Sequence, residues 1–372
     1  MKWQTVCASA AVAIGMSLAA GANSQAAAAC TATGFYVDGI NMTAALINPG
    51  QFNGQTLNAL GCNIGIYFDD GTDGGAGAGG SVYGSTISGA NYFGIVVNGG
   101  GGNAPVSVSV DSSTITNIGE TPHNGTQHGN AVFYINGSTS TGSDDSRTCG
   151  ADNSTTGTIY NDTVSGYQKN GITVKCPGVS VAISNNTVTG AGAVDYIAQN
   201  GIEVGLGALA TVSGNTVSDN EYTGANNADS SGVLVFGGSA FGGAYASNET
   251  VSGNHLTDND VGIFSVNCDG NCTTAPTTPT NNVINGNKIS NDELATNVSG
   301  CGYPNGYQAG ISEFGLNDMI KNNKVSGMGY GPAGTPYCAT TTLLQVDLTG
   351  SGALKQYKVS GGRLQKGYLP TP

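Results

Sequence analysis

The sequence predicts an all-β chain folded as a single right-handed parallel β-helix, a solenoid of about eight or more coils with N- and C-terminal caps. Three observations carry that reading. One six-residue pattern recurs eight times, and a glycine-led strand accompanies it in the coils. The composition, 61 glycines with only 9% charged residues, suits frequent turns and polar, uncharged surfaces. No stretch of ten or more residues keeps a helical period, because Gly and Asn interrupt every candidate.

The pattern is an apolar residue, two turn residues, a small polar residue, a variable residue and a second apolar one. It occupies 82–87, 110–115, 159–164, 183–188, 212–217, 251–256, 284–289 and 320–325. Its fourth position reads Ser85, Ser113, Asp162, Asn186, Asn215, Asn254, Asn287 and Asn323. Successive members stand 28, 49, 24, 29, 39, 33 and 36 residues apart, so the shortest interval is one bare coil and the excess marks inserted loops. Stacked turns bring like residues roughly 4.8 Å apart, where amide side chains bond as a ladder. Asn also tolerates the left-handed backbone of sharp turns, so this column reads as structural.

The second strand of the coil begins at Gly94, Gly171, Gly201, Gly232, Gly262 and Gly310. Period-2 alternation sends Ile95, Ile172, Ile202, Val233, Ile263 and Ile311 inward. Val96, Thr173, Glu203, Leu234, Phe264 and Ser312 then form an outward stripe. The coil around 128–133 fits with a one-residue ambiguity of register.

At the ends the pattern changes. Residues 1–28 read as a secretory signal peptide: Lys2, an apolar run over 6–20, then small residues. Residues 29–81 are assigned to an N-terminal cap and first coil, 82–330 to the repeats, and 331–372 to a capping tail that leaves the repeat at about 340, since a solenoid otherwise exposes its last coil. Beyond Cys7, eight cysteines remain, an even number that in an exported chain reads as disulfides. The simplest pairing joins sequence neighbours: Cys30 with Cys62, Cys149 with Cys176, Cys268 with Cys272, and Cys301 with Cys338. Sequence leaves the connectivity open, and Cys30 behind three alanines also admits a lipidated terminus. The expected place of action is extracellular, with periplasm or cell surface as variants.

A net charge of −13 argues against nucleic acid and anionic membrane as partners and penalises anionic polysaccharide unless a cation bridges it. After the signal no apolar run nears the ~20 residues that span a bilayer.

The coil motif, with the segments 167–172 and 195–202, resembles secreted bacterial right-handed β-helix repeat proteins of the pectin-lyase-like superfamily over about residues 60–330. The resemblance implies the fold and an extracellular polysaccharide partner. It brings no catalytic residue. Pectate lyases carry a catalytic Arg with Asp calcium ligands, and polygalacturonases carry Asn-Thr-Asp, Asp-Asp and Gly-His-Gly sets. Here the only mature arginines are Arg147 and Arg363, and Asp144-Asp145 falls in an inserted loop.

Loops beside the glycine-led strands would line an axial groove. Its candidate catalytic residues are His128, Lys169, Tyr167, Asp195, Tyr196 and Glu203, and its substrate-binding candidates are Gln127, Asn170, Gln199, Asn200, Glu221 and Tyr222. A lyase would use Lys169 or His128 as base, Tyr167 or Tyr196 as acid, and a cation beside the uronate. A glycoside hydrolase would use two of Asp195, Glu203 and Glu221. No cofactor is certain; calcium is considered, at Asp69, Asp70 and Asp73, and no metal ligands are assigned because His123 with His128 is a weak pair. The favoured function is a monomeric protein that binds, and in one reading cleaves, an extracellular polysaccharide. Its rivals are a non-catalytic adhesion or envelope module, and an ice-binding face, for which the column Thr86, Thr114, Thr163, Thr187, Thr216 is interrupted by His255 and Lys288.

Overall fold

Each six-residue pattern turns a corner. In 183–188, Ile183 lies at the end of one strand, Val188 at the start of the next, and both are buried, so a tight bend between two apolar residues redirects the chain while both side chains enter the same core. A computed structural model describes residues 29–70, 79–100, 104–137, 149–150, 154–224, 228–270, 272, 276–293, 307–330 and 343–347. The expected signal peptide, Asp73, Asp144-Asp145, both arginines, the expected Cys301–Cys338 pair and the chain after 347 lie outside the described residues.

The architecture is a right-handed parallel β-helix, built almost wholly of strands. Strands visit three sheets in strict rotation. An eleven-stranded first sheet runs from Thr31–Val37 to Leu343–Asp347. A nine-stranded second sheet runs from Gln51–Asn53 to Met319–Lys321, and a nine-stranded third from Thr56–Asn58 to Lys324–Ser326. Among the described residues every strand pairing is parallel except the first, where Thr31–Val37 folds back antiparallel on Ile40–Ile47; a single isolated antiparallel bridge joins Gly137 and Cys149.

Columns of like residues fill the interior. Ile95, Val132, Ile172, Ile202, Val233, Ile263 and Ile311 stand in register on the first sheet, each fully buried. The ambiguous coil is thereby settled: Asn130 pairs with Phe93 and Asn170, so Val132 points inward. Burial of each such Ile or Val is worth about 1.5–3 kcal/mol relative to exposure. The glycine that leads these strands has a packing cause. A Cβ on Gly171 would come within 2.5 Å of both the Gly201 carbonyl and Val188 Cγ1.

The corner column forms a buried ladder. The backbone N–H of Asn186 donates to Asn215 Oδ1 (2.9 Å), that of Asn215 to Asn254 Oδ1 (2.9 Å), and Asn254 and Asn287 continue it to Asn323. From Asn186 to Asn287 each Nδ2 donates both to the next rung's Oδ1 and to a carbonyl one coil back, as Asn186 does to Ile159, and the last, Asn323, donates to the Ile284 carbonyl. One expectation is corrected: the left-handed residues are not the ladder members but those just before them, Gly84, Ser112, Asn161, Asn185, Gly214, Gly253, Gly286 and Asn322. The ladder side chain must point inward, and the preceding residue takes the bend.

Among the described residues three disulfides, Cys30–Cys62, Cys149–Cys176 and Cys268–Cys272, join sequence neighbours and point to an oxidising compartment. At the far end, Leu343–Asp347 adds a parallel strand with Val346 opposite Ile311, so the tail supplies one further rung of the first sheet. No helix among the described residues is long and apolar enough to cross a membrane.

Candidate functional site

The outer face of the first sheet is not an open stripe. Val96, Thr173, Glu203 and Ser312 point outward yet are buried, and Leu234 and Phe264 are half-buried. In the early coils Phe35, from the antiparallel hairpin, lies against Tyr67 and Phe93, and Phe93 stacks on Phe133 at 5.0 Å. In the middle coils polar side chains cover one another. Lys175 Nζ forms an ion pair with Glu203 Oε1 at 2.7 Å and lies over the Phe236 ring. Asn200 Nδ2 donates to Asn170 Oδ1 (3.1 Å) and to Glu203 Oε2 (3.2 Å), while Ser231 Oγ donates to Asn200 Oδ1 (2.6 Å). Glu203, Asn170 and Asn200 are therefore members of a closed network, which corrects their placement on an accessible groove wall.

Tyr167 requires the plainest correction. Its ring is fully buried in the core, and its hydroxyl donates to Asn220 Oδ1 at 2.7 Å. Burial, chiefly, pushes that hydroxyl above its usual range, so it is not poised to deliver a proton to a groove. Its position, paired with Ile118 at the end of a third-sheet strand, faces inward by alternation.

Polar groups converge instead on the corner between the third and first sheets. There Gly129, Lys169, Gln199, Ser230 and Asp260 occupy equivalent positions, each carbonyl accepting from the next coil's backbone N–H. Gln168, fully buried, organises the loop 119–129: its Oε1 accepts from Glu120 N (3.0 Å) and Asn124 N (3.2 Å), and its Nε2 donates to Thr126 O (2.8 Å). Gln199 does the same one coil on, accepting from Ala191 N and donating to Tyr167 O. Gln199 is thus a loop organiser rather than a free ligand.

His128 stacks on Tyr92 with centroids 3.8 Å apart, and its Nε2 lies 2.8 Å from Glu120 Oε1. Lys169 Nζ donates to the Ala198 carbonyl at 2.8 Å. Both candidate bases are engaged. Gln127 is exposed, and His123 is partly exposed with burial lowering its ring's proton affinity. Asp69 exchanges hydrogen bonds with Asn48, and among the described residues no group of three His, Cys, Asp or Glu is placed to hold a metal ion.

The carboxylates sort differently. Glu221 pairs in register with Ala193, and Tyr222 with Val194, so Asp195 lies on the rung beside them, exposed, next to half-exposed Tyr196. Glu221 itself is 8% exposed and, among the described residues, its carboxylate accepts no hydrogen bond. Burial, then the charges of Asp260, Glu293, Asp258 and Asp219, push it up to about 8. Asp260 is pushed up to about 7 by burial, against the N–H groups of Tyr222 (2.7 Å) and Ser230 (3.3 Å), which its Oδ2 accepts. Asp260 escaped the sequence reading, although it stands one residue before Val261-Gly262 just as Lys169 precedes Asn170-Gly171.

A solenoid of stacked three-sheet coils with a polar, acid-lined corner defines the class: a β-helix repeat protein. The family model for a right handed beta helix region matches residues 64–241, which takes in the coils that carry Gln168, Gln199 and Glu221. No curated protein and no solved structure matches the chain.

Proposed function

We propose that the protein acts outside the cell on a polysaccharide laid along the corner between the third and first sheets, and hydrolyses it with Glu221 as proton donor. The observation that carries this reading is the Glu221 carboxyl itself. It is nine-tenths buried, unbonded among the described residues, and held protonated at neutral pH among other acids. A general acid works best when its proton is still present at working pH, which burial and like charge arrange here.

Hydrolysis needs a second carboxylate. Asp195, solvent-facing on the neighbouring rung, fills that role: it takes a proton from the water that attacks the anomeric carbon, while Glu221 protonates the departing glycosidic oxygen. Half-exposed Tyr196 offers an aromatic face beside Asp195, whereas Tyr222, a substrate-binding candidate by sequence, is buried and presents no face to a ligand. Lyase chemistry is disfavoured because His128, Lys169 and Tyr167 are all engaged.

The test is incubation of the mature protein with a glycan panel, following reducing ends and the absorbance of unsaturated uronates. New reducing ends without unsaturated products, with turnover reduced by roughly 100-fold or more in Glu221→Gln and binding retained, are expected. Unsaturated products would replace the hydrolase reading with a lyase. Binding without cleavage would leave a non-catalytic adhesion or envelope module.

A further inference from the structure

The chain has 24 acidic residues against 11 Lys and Arg, so its unpaired cations are informative by position. Five lysines fall among the described residues. Lys169 and Lys175 belong to the corner and to the Glu203 pair. The other three, Lys288, Lys321 and Lys324, sit on the last two coils, and among the described residues none forms an ion pair.

Register aligns them. On the outer face of the third sheet, Thr216, His255, Lys288 and Lys324 stand directly above one another, all exposed. Two positions along each strand runs a second outward column of hydroxyls, Ser218, Thr257, Ser290 and Ser326. Lys321 stands on the adjoining second sheet at the same end. Lys288 and Lys324, directly opposite on neighbouring strands, repel each other and concentrate positive charge at one end of the column, while Asp219, Asp258 and Asp292 form an acidic row on the far side of the hydroxyls, which confines that charge to a narrow strip.

We propose that this face binds a linear anionic glycan, sulfated or carboxylated, lying along the solenoid axis, with the cations on its charges and the hydroxyl column on its sugar hydroxyls. Charge complementarity selects the sign. Width selects the shape: the column is one residue wide, and the surrounding acidic surface would repel a broad polyanion such as a bilayer or a nucleic-acid duplex. The chain's own residues 348–372 cannot be the occupant, because they carry four Lys or Arg and no Asp or Glu. Lys288 and Lys324 stand two and three coils beyond Glu221 on the same sheet, and binding there does not depend on hydrolysis at Glu221.

The experiment measures binding of the full mature chain to dextran sulfate, to alginate, and to uncharged dextran as control, at low and high salt. Expected are binding to one or both charged polymers, salt sensitivity, none to dextran, and about tenfold or greater weakening in the triple variant Lys288→Gln, Lys321→Gln, Lys324→Gln. Response to dextran sulfate alone would identify sulfate as the recognised group, and to alginate alone carboxylate. The three side chains lie on the surface, and an unchanged thermal melt confirms the fold; Glu221→Gln should bind the charged polymers like the parent, which separates failure of the corner reading from failure of this one. Undiminished binding in the triple variant, no binding to either charged polymer, or cation-dependent binding to DNA, to phosphatidylserine vesicles or to a second copy of the chain would overturn the proposal.

Discussion

Asp162 shows what one atom does in a ladder. It stands where five later rungs have Asn; its Oδ1 accepts from Ser113 N (2.7 Å), but its Oδ2 is buried without a partner. Burial pushes the carboxyl up to about 7. Asn in its place would direct an amide to the Val110 carbonyl and to Asn186 Oδ1, by analogy with Asn186 toward Ile159 and Asn215. Asp162→Asn should therefore raise stability at pH 8 by about 1–3 kcal/mol, read as a higher melting temperature, because it removes an unsatisfied buried acceptor and adds a bonded donor. A lower melting temperature would show that the carboxylate already serves the ladder better than an amide would. The column was legible in sequence because its members share one spacing from flanking apolar residues. The residue that bears the left-handed strain was misassigned, since sequence does not say which of two adjacent turn residues takes the bend.

At the scale of an element, the loop 119–129 is held by one buried amide rather than by a sheet. Gln168→Ala would leave Glu120 N and Asn124 N without their acceptor and Thr126 O without its donor. The solenoid should persist, as judged by circular dichroism, while amide exchange over 120–126 quickens by at least about tenfold, the local cost of losing several buried hydrogen bonds. Unchanged exchange would place the loop's stability elsewhere. Of the candidate site, sequence position pointed to the corner beside the glycine-led strands, because loops had to gather there. It did not separate a residue that organises a loop, such as Gln199, from one that is exposed to solvent, such as Asp195. Alternation gave the direction of Glu203 and Asn200 but not their burial, which depends on how Lys175 and Phe236 fold over the same face.

Across the whole molecule, buried carboxyls set the response to pH. Asp162 and Asp260 are pushed up to about 7, Glu221 and Glu249 to about 8, burial being the first cause in each. The unfolded chain releases these protons near pH 4, whereas the folded chain holds them until pH 7 to 8. Within that window the folded state binds more protons, so stability falls as pH rises and levels off above it. Asp269, held below the usual range by Tyr245 and Ser239, acts in the opposite sense but is a single group near solvent. Calorimetry should find a melting temperature at least about 5 °C higher at pH 4.5 than at pH 8.5; a flat or rising profile would reject the assignment of protonated carboxyls.

Glu249 also marks what chain order conceals. It begins a further ladder, Glu249 Oε2 accepting from Ala210 N, Asn282 Oδ1 from Glu249 N, and Asp318 Oδ1 from Asn282 N, whose members follow no common local motif. The sequence by itself determined the solenoid, its corners and its inward columns, because a repeat that stacks on itself writes the same short-range pattern once per coil. Only the tertiary structure decided which polar residues are buried, which carboxyls face one another at the corner, and that His255, Lys288 and Lys324 form one column. Those facts depend on loops of unequal length bringing distant residues to the same rung, and no local spacing encodes that.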